Sequence, residues 1–247
     1  MSIERFTCKR DGLDIVGRLA LPDGKTDCPL VIFSHGFGYN DKLLNLEKFA
    51  ENGIAACDFD FCGGSPSSES DGSTTEMSVL TEAADLKAVI DTLKSFPGIN
   101  ADNISLIGFS QGSYVSSIVA MQRPKEIKRL FLMSPAFLIA DFPMYALFYG
   151  FRKTFQFGNM LLGNRYIKDI KAFSVFDHSV FDHMNEYKNP VMIFHGTADD
   201  MAPIGYSKRA MKKFPDAVLK KIPGAGHGLY GHIEEIQEEI IRVLKEA

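Results

Sequence analysis

The sequence predicts an α/β protein with a mostly parallel central sheet and helices on both faces. Three observations support this prediction. Short β-rich runs alternate along the chain with runs whose apolar residues follow helical spacing. The 247 residues are 45% hydrophobic, which is enough for one sizeable core. No internal repeat or low-complexity tract interrupts the pattern, so we expect a single domain over residues 1–247.

The N-terminal elements are predicted to be mainly strands. The runs "FTCKR" and "LDIVGRLAL" flank Asp11 and Gly12, a dipeptide that suits a two-residue hairpin turn. The run "PLVIFSH" is short, β-rich and ends in a glycine loop. The run "LEKFAENG" is typical of a helix that stops at Gly53, and "IAACDFDF" is again strand-like.

From residue 79 the alternation continues to the C-terminus. A first helix is predicted from apolar residues on one face, namely Val79, Ala83, Leu86, Ile90 and Leu93. Further strands are predicted at "ISLIG", "IKRLFLMS", "VMIFHG" and "AVLKKI", and further helices at "SYVSSIVAM" and "YSKRAMKKF". The last helix carries an apolar face of four residues, Ile233, Ile236, Ile240 and Leu244.

One segment departs from the alternation. About fifty residues between "FLMSPA" and "NPVMIFHG" show no clear strand, and residues 137 to 185 hold twelve of the 28 Phe and Tyr residues. A loop of that length needs its own structure or a function. We interpret residues 137–187 as an inserted, partly helical cap with an apolar underside; the alternative is extra helices that only pack on the core. The cap residues expected to contact a substrate are Phe142, Tyr145, Phe148 and Tyr149.

The composition excludes several classes of partner. The net charge of −4 is scattered, without the basic stripe that a nucleic-acid-binding protein carries. The N-terminus lacks the apolar region of a signal peptide, so we expect a cytoplasmic protein. The apolar stretch 130–151 is broken by Pro135, Asp141 and Pro143, which argues against a membrane span.

Four cysteines are present, and they are predicted to be buried free thiols. Cys8, Cys28, Cys57 and Cys62 form no CxxC pair and have no neighbouring histidine at metal-ligand spacing. This cysteine pattern fits a protein in a reducing compartment. The spacing of the cysteines also gives no indication of a metal site.

The segment Gly108–Gly112, "GFSQG", fits the pattern G-x-S-x-G between a predicted strand and a predicted helix. A sharp strand-to-helix turn forces its central residue into a strained conformation and leaves room only for small residues two positions away. The N–H groups of the helix N-terminus favour a developing negative charge. Ser110 is therefore a candidate nucleophile.

A serine hydroxyl needs a base, and that base needs an orienting carboxylate. His227 lies in the glycine-rich loop "PGAGHG" after the last predicted strand, and His232 is the alternative base. Asp199 and Asp200 follow the strand before it, so either carboxylate lies at the same edge of a parallel sheet. Asp200 also suits a helix N-cap. The order Ser, Asp, His is that of the α/β-hydrolases.

Six motifs resemble one family, in that family's order and over nearly the whole chain. They are "HGFG" from His35, "DFDFCGGSPSS" from Asp58, "GFSQG" from Gly108, "MSPA" from Met133, "HGTADDMAP" from His195 and "PGAGHG" from Pro223. On these motifs the chain resembles the α/β-hydrolases of the lidded serine esterase type. Within that type it is similar to the bacterial cinnamoyl (feruloyl) esterases and more loosely to the monoacylglycerol lipases.

The resemblance implies an α/β-hydrolase fold with the cap inserted after the sixth core strand, and it assigns site residues. The family's acid is the last residue of H-G-x-x-D, four residues before a proline, which places it at Asp199 with Pro203. The family's oxyanion hole uses the backbone N–H groups that here belong to Phe37 and Gln111. Two such fixed donors lower the barrier by about 3 kcal/mol each.

We therefore expect a serine carboxylic-ester hydrolase with Ser110, His227 and Asp199 as its triad. Its expected partner is a small-molecule ester with an apolar or aryl acyl group, hydroxycinnamate esters included, and no metal or organic cofactor is implied. A monoacylglycerol lipase and an aminopeptidase-like hydrolase are alternatives; the latter needs a carboxylate for the peptide amine, such as Asp141 or Asp169. A non-catalytic binding module is the alternative from another class. Whether the chain forms a homodimer is left open.

Overall fold

The computed structural model of the protein describes residues 2–39, 42–144, 153–176 and 179–246. Within these ranges the strands are β1 Ser2–Arg10, β2 Leu13–Leu21, β3 Cys28–Ser34, β4 Ala55–Phe59, β5 Ile99–Phe109, β6 Ile127–Met133, β7 Thr154–Phe157, β8 Met160–Gly163, β9 Val191–Gly196 and β10 Ala217–Ile222. The helices are α1 Leu46–Glu51, α2 Val79–Leu93, α3 Gln111–Gln122, α4 Asn164–Phe176, α5 Val180–His183, α6 Gly205–Met211 and α7 Ile233–Lys245. Two 3-10 helices span Phe137–Met144 and Met184–Glu186.

Eight strands form one sheet in the order β1-β2-β4-β3-β5-β6-β9-β10. The pairs β1–β2 and β2–β4 are antiparallel, and the other neighbours are parallel, so the predicted mostly parallel sheet is confirmed. Because the parallel strands run in one direction, their carboxyl ends meet at one edge of the sheet. The loops after β3, β5, β6, β9 and β10 therefore lie side by side, and they carry the predicted site residues.

The predicted N-terminal hairpin is also confirmed. β1 and β2 pair with Arg10 opposite Leu13, which leaves a two-residue turn. Both turn residues have positive φ, 51° at Asp11 and 87° at Gly12. This conformation belongs to the hairpin turn that Asp-Gly favours, because its twist matches that of the strands.

The sheet buries a hydrophobic cluster on each face. In β3, Leu30 and Ile32 belong to the cluster under α2 and α3, whereas Val31 and Phe33 belong to the cluster under α1 and α7. Successive side chains of a strand point to opposite faces, so one short run supplies both cores. Helices on both faces were predicted and are observed.

The helical periodicity identified the buried faces of α2 and α7. The five apolar residues predicted for α2 are all buried. In α7, Ile236, Ile240 and Leu244 are buried against the second cluster, with Ile233 partly buried beside them.

The interpretation of residues 137–187 as lacking a strand was wrong. β7 and β8 form a two-stranded antiparallel hairpin around Gly158 and Asn159, with Phe157 opposite Met160. Gly158 adopts a φ of 56°, a conformation that glycine reaches without steric cost. Each strand is only four residues long, so the alternation of buried and exposed side chains is too short to stand out from the sequence.

The four cysteines are free and buried, as predicted. None of the described helices is long and apolar enough to cross a lipid bilayer.

Candidate active site

Ser110 lies at the sharp turn between β5 and α3. Its φ of 52° and ψ of −117° lie in a region that residues with a side chain rarely adopt. Three backbone hydrogen bonds hold it there: its N–H donates to the Met133 carbonyl at 2.9 Å, and its carbonyl accepts from the N–H groups of Ser113 and Ala136, each at 3.1 Å. Such strain persists only where the surrounding structure enforces it, and it is typical of functional sites.

The two glycines of the motif are required by close approach of the backbone. A Cβ at Gly108 would lie 2.5 Å from the Gly112 carbonyl oxygen, and a Cβ at Gly112 would lie 2.2 Å from the Ser34 carbonyl oxygen. Neither glycine needs a positive φ. The prediction that only small residues fit two positions from Ser110 is therefore confirmed, for steric reasons.

Gly112→Ala is expected to lower the melting temperature by about 5 to 10 °C and to reduce activity. The added methyl group overlaps the carbonyl oxygens of Ser34 and His35 at 2.2 and 2.4 Å, so α3 or the end of β3 must shift. Gly205→Ala is the matched control, because no atom lies within 4 Å of its added Cβ. Thermal unfolding of both variants tests this, and an unchanged melting temperature for Gly112→Ala would contradict the steric argument.

The structure brings Ser110, His227 and Asp199 into one hydrogen-bonded chain. The Nε2 atom of His227 lies 2.9 Å from the Ser110 Oγ, and its Nδ1 atom lies 2.8 Å from the Asp199 Oδ2. His227 is half-buried and its ring packs against Phe109, with 5.4 Å between ring centroids. A proton on Nδ1 leaves Nε2 free to accept the proton of the serine hydroxyl.

The Asp199 carboxylate is fully buried and held from two sides. While Oδ2 faces His227, Oδ1 accepts hydrogen bonds from the N–H groups of Met201 at 3.0 Å and Ala202 at 2.8 Å. These donors replace the water that burial removes, and they fix the direction of the carboxylate.

His232 and Asp200, the alternative base and acid, are not part of the hydrogen-bonded chain of Ser110, His227 and Asp199. His232 precedes α7 and its Nδ1 lies 3.6 Å from a carboxylate oxygen of Glu235. Asp200 is exposed. Its interpretation as a helix N-cap was wrong, because the residue at the N-cap of α6 is Ile204, which has no side-chain cap. The turn after β9 uses the Asp199 side chain instead.

His35 and His195 shape the loops around the site. The Nδ1–H of His35 donates to the Gly36 carbonyl at 2.8 Å, and its Nε2 accepts from the Phe61 N–H at 3.1 Å. His195 donates from Nε2 to the Ala202 carbonyl at 2.7 Å and accepts the Ser207 hydroxyl at Nδ1, also at 2.7 Å. Burial lowers the pKa of His195, so it stays neutral behind Asp199.

Phe37 and Gln111, the residues predicted to supply the oxyanion-binding N–H groups, line the same cavity as Ser110. Gln111 is the first residue of α3, where an N–H has no partner within the helix. Phe37 lies in the loop after β3 and lines the cavity together with Ser110. Among the loop and cap hydrogen bonds of the described residues, none uses the N–H of Phe37 or Gln111.

A cavity of about 490 Å³ opens above Ser110. Its wall is largely apolar and includes Phe33, Phe37, Leu43, Leu138, Ile139 and Phe157. The segment 137–187 contributes from its 3-10 helix, its hairpin turn and α4. The charged side chains Asp, Glu, Lys and Arg are absent from the described lining, so the cavity suits an uncharged, apolar group.

The four cap residues predicted to contact a substrate remain predictions. Phe142 lies in the first 3-10 helix, but its side chain lies outside the described part of the chain, and so do Tyr145, Phe148 and Tyr149 entirely. The described cavity instead uses Phe157, Asn159 and Tyr166, which the sequence analysis did not single out. The Gly158–Asn159 pair between two apolar runs is a hairpin pattern that could have identified Phe157 and Asn159.

The described residues contain no group of three or more His, Cys, Asp or Glu side chains that could hold a metal ion. The arrangement is suited to nucleophilic chemistry, because a serine oxygen, an imidazole and a carboxylate that contacts the imidazole lie in one hydrogen-bonded chain.

Comparisons with known proteins agree with the observed fold. The model of the family described as "alpha/beta hydrolase fold" matches residues 29–189. No curated protein sequence matches the chain significantly.

Among solved structures, Est1E from Butyrivibrio proteoclasticus with ferulic acid bound is similar to the chain, with a TM-score of 0.87 and 24% identity over 98% of each chain. Alpha/beta hydrolase domain-containing protein 10 from mouse has a TM-score of 0.73 and 19% identity over 97% of this chain and 99% of its own. The alpha/beta hydrolase GrgF from Penicillium sp. sh18 has a TM-score of 0.72 and 19% identity over 99% of this chain and 98% of its own. At these identities the likeness shows a shared fold.

Proposed function

The chain belongs to the α/β-hydrolase fold family, and we propose that it is a serine hydrolase that cleaves carboxylic esters through an acyl-enzyme. The observation that carries this proposal is the chain of hydrogen bonds from Ser110 through His227 to Asp199. This chain supports the proposal because an imidazole lies 2.9 Å from the strained Ser110 hydroxyl, and a buried carboxylate 2.8 Å from its Nδ1 favours the tautomer with the proton on that atom.

Acylation begins when the Ser110 Oγ attacks the ester carbonyl carbon and its proton passes to the His227 Nε2. The imidazolium that forms is stabilised by the Asp199 carboxylate at 2.8 Å. When the tetrahedral intermediate collapses, the bond to the alcohol oxygen breaks and the Nε2 proton moves to that oxygen. The alcohol leaves, and the acyl group stays on Ser110.

Deacylation repeats these steps with water. The His227 Nε2 accepts a proton from water as the water oxygen attacks the acyl carbon. The bond between the acyl carbon and the Ser110 Oγ then breaks, the Nε2 proton passes to Oγ, and the carboxylic acid leaves. In both intermediates the negative oxygen is placed against the N–H groups of Phe37 and Gln111, which are worth about 3 kcal/mol each for such a charge.

The cavity supports an apolar or aryl acyl group as the preferred substrate class. Burying apolar surface contributes about 25 cal/mol per Å², and an aromatic wall adds about 1 kcal/mol for a ring in edge or stacked contact. The phenylalanines of the lining can supply both terms. Est1E, one of the similar solved structures, binds ferulic acid, and we extend the same class of aryl acyl group to this chain as part of the proposal.

We also propose that residues 137–187 act as a cap over the site. Leu138, Ile139 and Tyr166 line the cavity from this segment, and Phe155 and Leu162 anchor it in the main core. This anchoring means that deleting the segment would expose buried core side chains. Single substitutions are therefore the appropriate way to probe it.

An aminopeptidase role is less well supported by the described residues. The carboxylate of Asp141 accepts the Tyr206 hydroxyl at 2.7 Å, and that of Asp169 accepts the Ser78 hydroxyl at 2.5 Å. Neither residue lines the cavity, so neither is placed to bind a peptide amine.

A substrate panel is expected to show hydrolysis of short-chain nitrophenyl esters and of hydroxycinnamate methyl esters. A nitrophenyl ester with a free carboxylate on its acyl group should have a kcat/KM at least tenfold below that of the uncharged ester of equal length. The reason is that the described part of the lining contains no Lys or Arg side chain to pair with a desolvated carboxylate. Steady-state kinetics on these esters, together with a monoacylglycerol and an aminoacyl amide, gives the comparison.

Ser110→Ala is the control for every substrate in the panel, because it separates turnover at this site from background hydrolysis. Preferential hydrolysis of the monoacylglycerol or the amide would assign the chain to one of the alternative substrate classes. Binding of an ester without turnover would instead support a binding module.

A further inference from the structure

Three buried polar side chains form a chain of hydrogen bonds directly behind the site. The Tyr166 hydroxyl on α4 donates to the Gln111 Oε1 at 2.6 Å. The Gln111 Nε2 donates to a carboxylate oxygen of Glu82 on α2 at 2.8 Å. The three residues are at most 4% exposed, so these bonds are made in a dry environment, where a lost partner is costly.

The surroundings of the Glu82 carboxyl favour its neutral, protonated form. Burial raises its pKa well above the usual range, and the nearby Asp85 carboxylate acts in the same direction, opposed by the hydrogen bond from Gln111. Burial likewise raises the pKa of the Tyr166 hydroxyl. Both shifts favour the protonated forms of Glu82 and Tyr166, so burial disfavours a negative charge on either group.

Tyr166 contacts both residues that carry the proposed oxyanion-binding N–H groups. Its hydroxyl binds the Gln111 side chain, and its ring meets the Phe37 ring edge-on at 6.0 Å between centroids. Because the hydroxyl is directed at Gln111, Tyr166 offers the cavity the apolar part of its ring. Its hydrogen-bond donor is thus already used within the protein.

On the basis of the proposed function, we propose that Glu82, Gln111 and Tyr166 are positioning residues that hold the oxyanion-binding N–H groups of Gln111 and Phe37 in register with Ser110. Through Tyr166, α4 supports the reaction and does more than cover the cavity. The Gln111 side chain is anchored at both ends, to α2 and to α4, so the first turn of α3 cannot rotate without breaking a buried hydrogen bond.

A second link between α4 and α2 provides a matched control. The Ser78 hydroxyl at the N-cap of α2 donates to the Asp169 carboxylate at 2.5 Å, one turn along α4 from Tyr166. Asp169 does not line the cavity. Asp169→Ala therefore loosens the attachment of α4 without removing a contact to Gln111 or Phe37.

The test compares kcat and KM, per active site, for Tyr166→Phe and Asp169→Ala. Tyr166→Phe should lower kcat about tenfold and leave KM within about twofold, because the lost interaction matters mainly in the transition state. Asp169→Ala should keep kcat near that of the wild type even where its melting temperature falls further. Equal losses of kcat in the two variants, or a raised KM with unchanged kcat for Tyr166→Phe, would overturn the proposal.

Glu82 provides a second pair of variants if Tyr166→Phe folds poorly. Glu82→Met removes the acceptor for the Gln111 side chain and should lower kcat about tenfold or more. Glu82→Gln retains an acceptor oxygen and should recover most of that loss. Loss of activity in both Glu82 variants to the same extent would contradict a role as a neutral acceptor.

The protonation of Glu82 is tested by stability against pH. A carboxyl whose folded pKa is raised stabilises the fold below its unfolded pKa of about 4.3, and this contribution is lost as pH rises toward the folded pKa. Wild type should therefore lose melting temperature relative to Glu82→Gln between about pH 5 and pH 8. The facing groups Asp85 and Tyr166 are common to both proteins and cancel in the difference. A difference that stays constant over this range would show that Glu82 is ionised.

Fluorophosphonate labelling of Ser110 tests the positioning role of Tyr166 independently of whether the protein hydrolyses esters. The probe reacts with an activated serine whether or not the right ester has been found, and its phosphoryl oxygen occupies the oxyanion position. If wild type is labelled at Ser110 but cleaves no ester of the panel, the proposed ester hydrolysis fails and the labelling rates still test the positioning chain. Labelling of Tyr166→Phe should be about tenfold slower than that of Asp169→Ala; equal rates would overturn the inference.

Discussion

Ser110→Ala is expected to reduce ester hydrolysis by about three orders of magnitude or more and to leave the fold intact. The substitution removes the only atom of Ser110 that can attack a carbonyl carbon, while the N–H donors and the cavity remain to give residual catalysis. Alanine has the same Cβ as serine, so the backbone strain at φ 52° is unchanged. Measurements of kcat/KM and of thermal unfolding on the same preparation test both parts of this expectation.

Ser116→Ala is the matched control for that experiment. Ser116 lies on α3, is buried, and has a hydroxyl without a hydrogen-bond partner among the described residues. Its removal should therefore leave hydrolysis close to the wild-type rate. Fluorophosphonate labelling mapped by mass spectrometry should modify Ser110 in wild type and in Ser116→Ala. Labelling that persists in Ser110→Ala would identify a different serine as the nucleophile.

The sheet and its helices could be predicted because their signals are local and repeated. In α2 and α7 the apolar residues recur at helical spacing over about four turns, and at Asp11 and Gly12 the turn type is set by two residues. The position of Ser110 could be predicted for a related reason. A Cβ at either flanking glycine would lie within 2.5 Å of backbone atoms, so glycine is required at both positions. The sequence around Ser110 therefore indicates the sharp turn directly.

The hairpin of β7 and β8 could not be predicted with the same certainty. Four-residue strands present one or two buried side chains each, here Phe155 on one strand and Met160 and Leu162 on the other. That is too few for a period to be recognised. Gly158 and Asn159 indicate a hairpin turn. The high aromatic content of the surrounding segment favoured the interpretation as a partly helical cap instead.

The chain of Glu82, Gln111 and Tyr166 depends on tertiary contacts that no sequence spacing encodes. Gln111 is 29 residues from Glu82 and 55 from Tyr166. One clue was present: Glu82 lies three residues after Val79 and four before Leu86, on the face of α2 that the periodicity predicts to be buried. An acidic residue on a buried face requires a partner or a raised pKa; the Gln111 amide is that partner, and burial raises the pKa of Glu82.

The family resemblance selected Asp199 over Asp200 as the acid, and the structure gives a physical reason for that choice. Both carboxylates follow the same strand, and position in the sheet does not distinguish them. The Asp199 side chain is fully buried and 2.8 Å from the His227 Nδ1, whereas Asp200 is exposed. A one-residue difference therefore separates a carboxylate that touches the base from one that faces solvent.

Asp199→Asn is expected to lower kcat by a factor on the order of 10⁴, the size of effect seen when a triad carboxylate becomes an amide. The amide can keep the hydrogen bonds from the Met201 and Ala202 N–H groups through its oxygen, so the loop should stay folded. Its nitrogen then points at His227 and donates to Nδ1. This stabilises the tautomer with the proton on Nε2, which cannot accept the proton of Ser110, and the negative charge that stabilises the imidazolium is lost as well.

Asp200→Asn removes an identical charge one residue away, and its kcat should stay within about twofold of wild type because an exposed charge is screened by water and salt. Comparing the two variants at several pH values removes the effect of net charge, since both differ from wild type by one unit. A loss at Asp200 equal to or larger than that at Asp199 would mean that the His227 contact seen in the structure is not the one used in the reaction. A loss confined to Asp199, with unchanged melting temperature, would establish that the buried carboxylate acts on the imidazole and not on the stability of the loop.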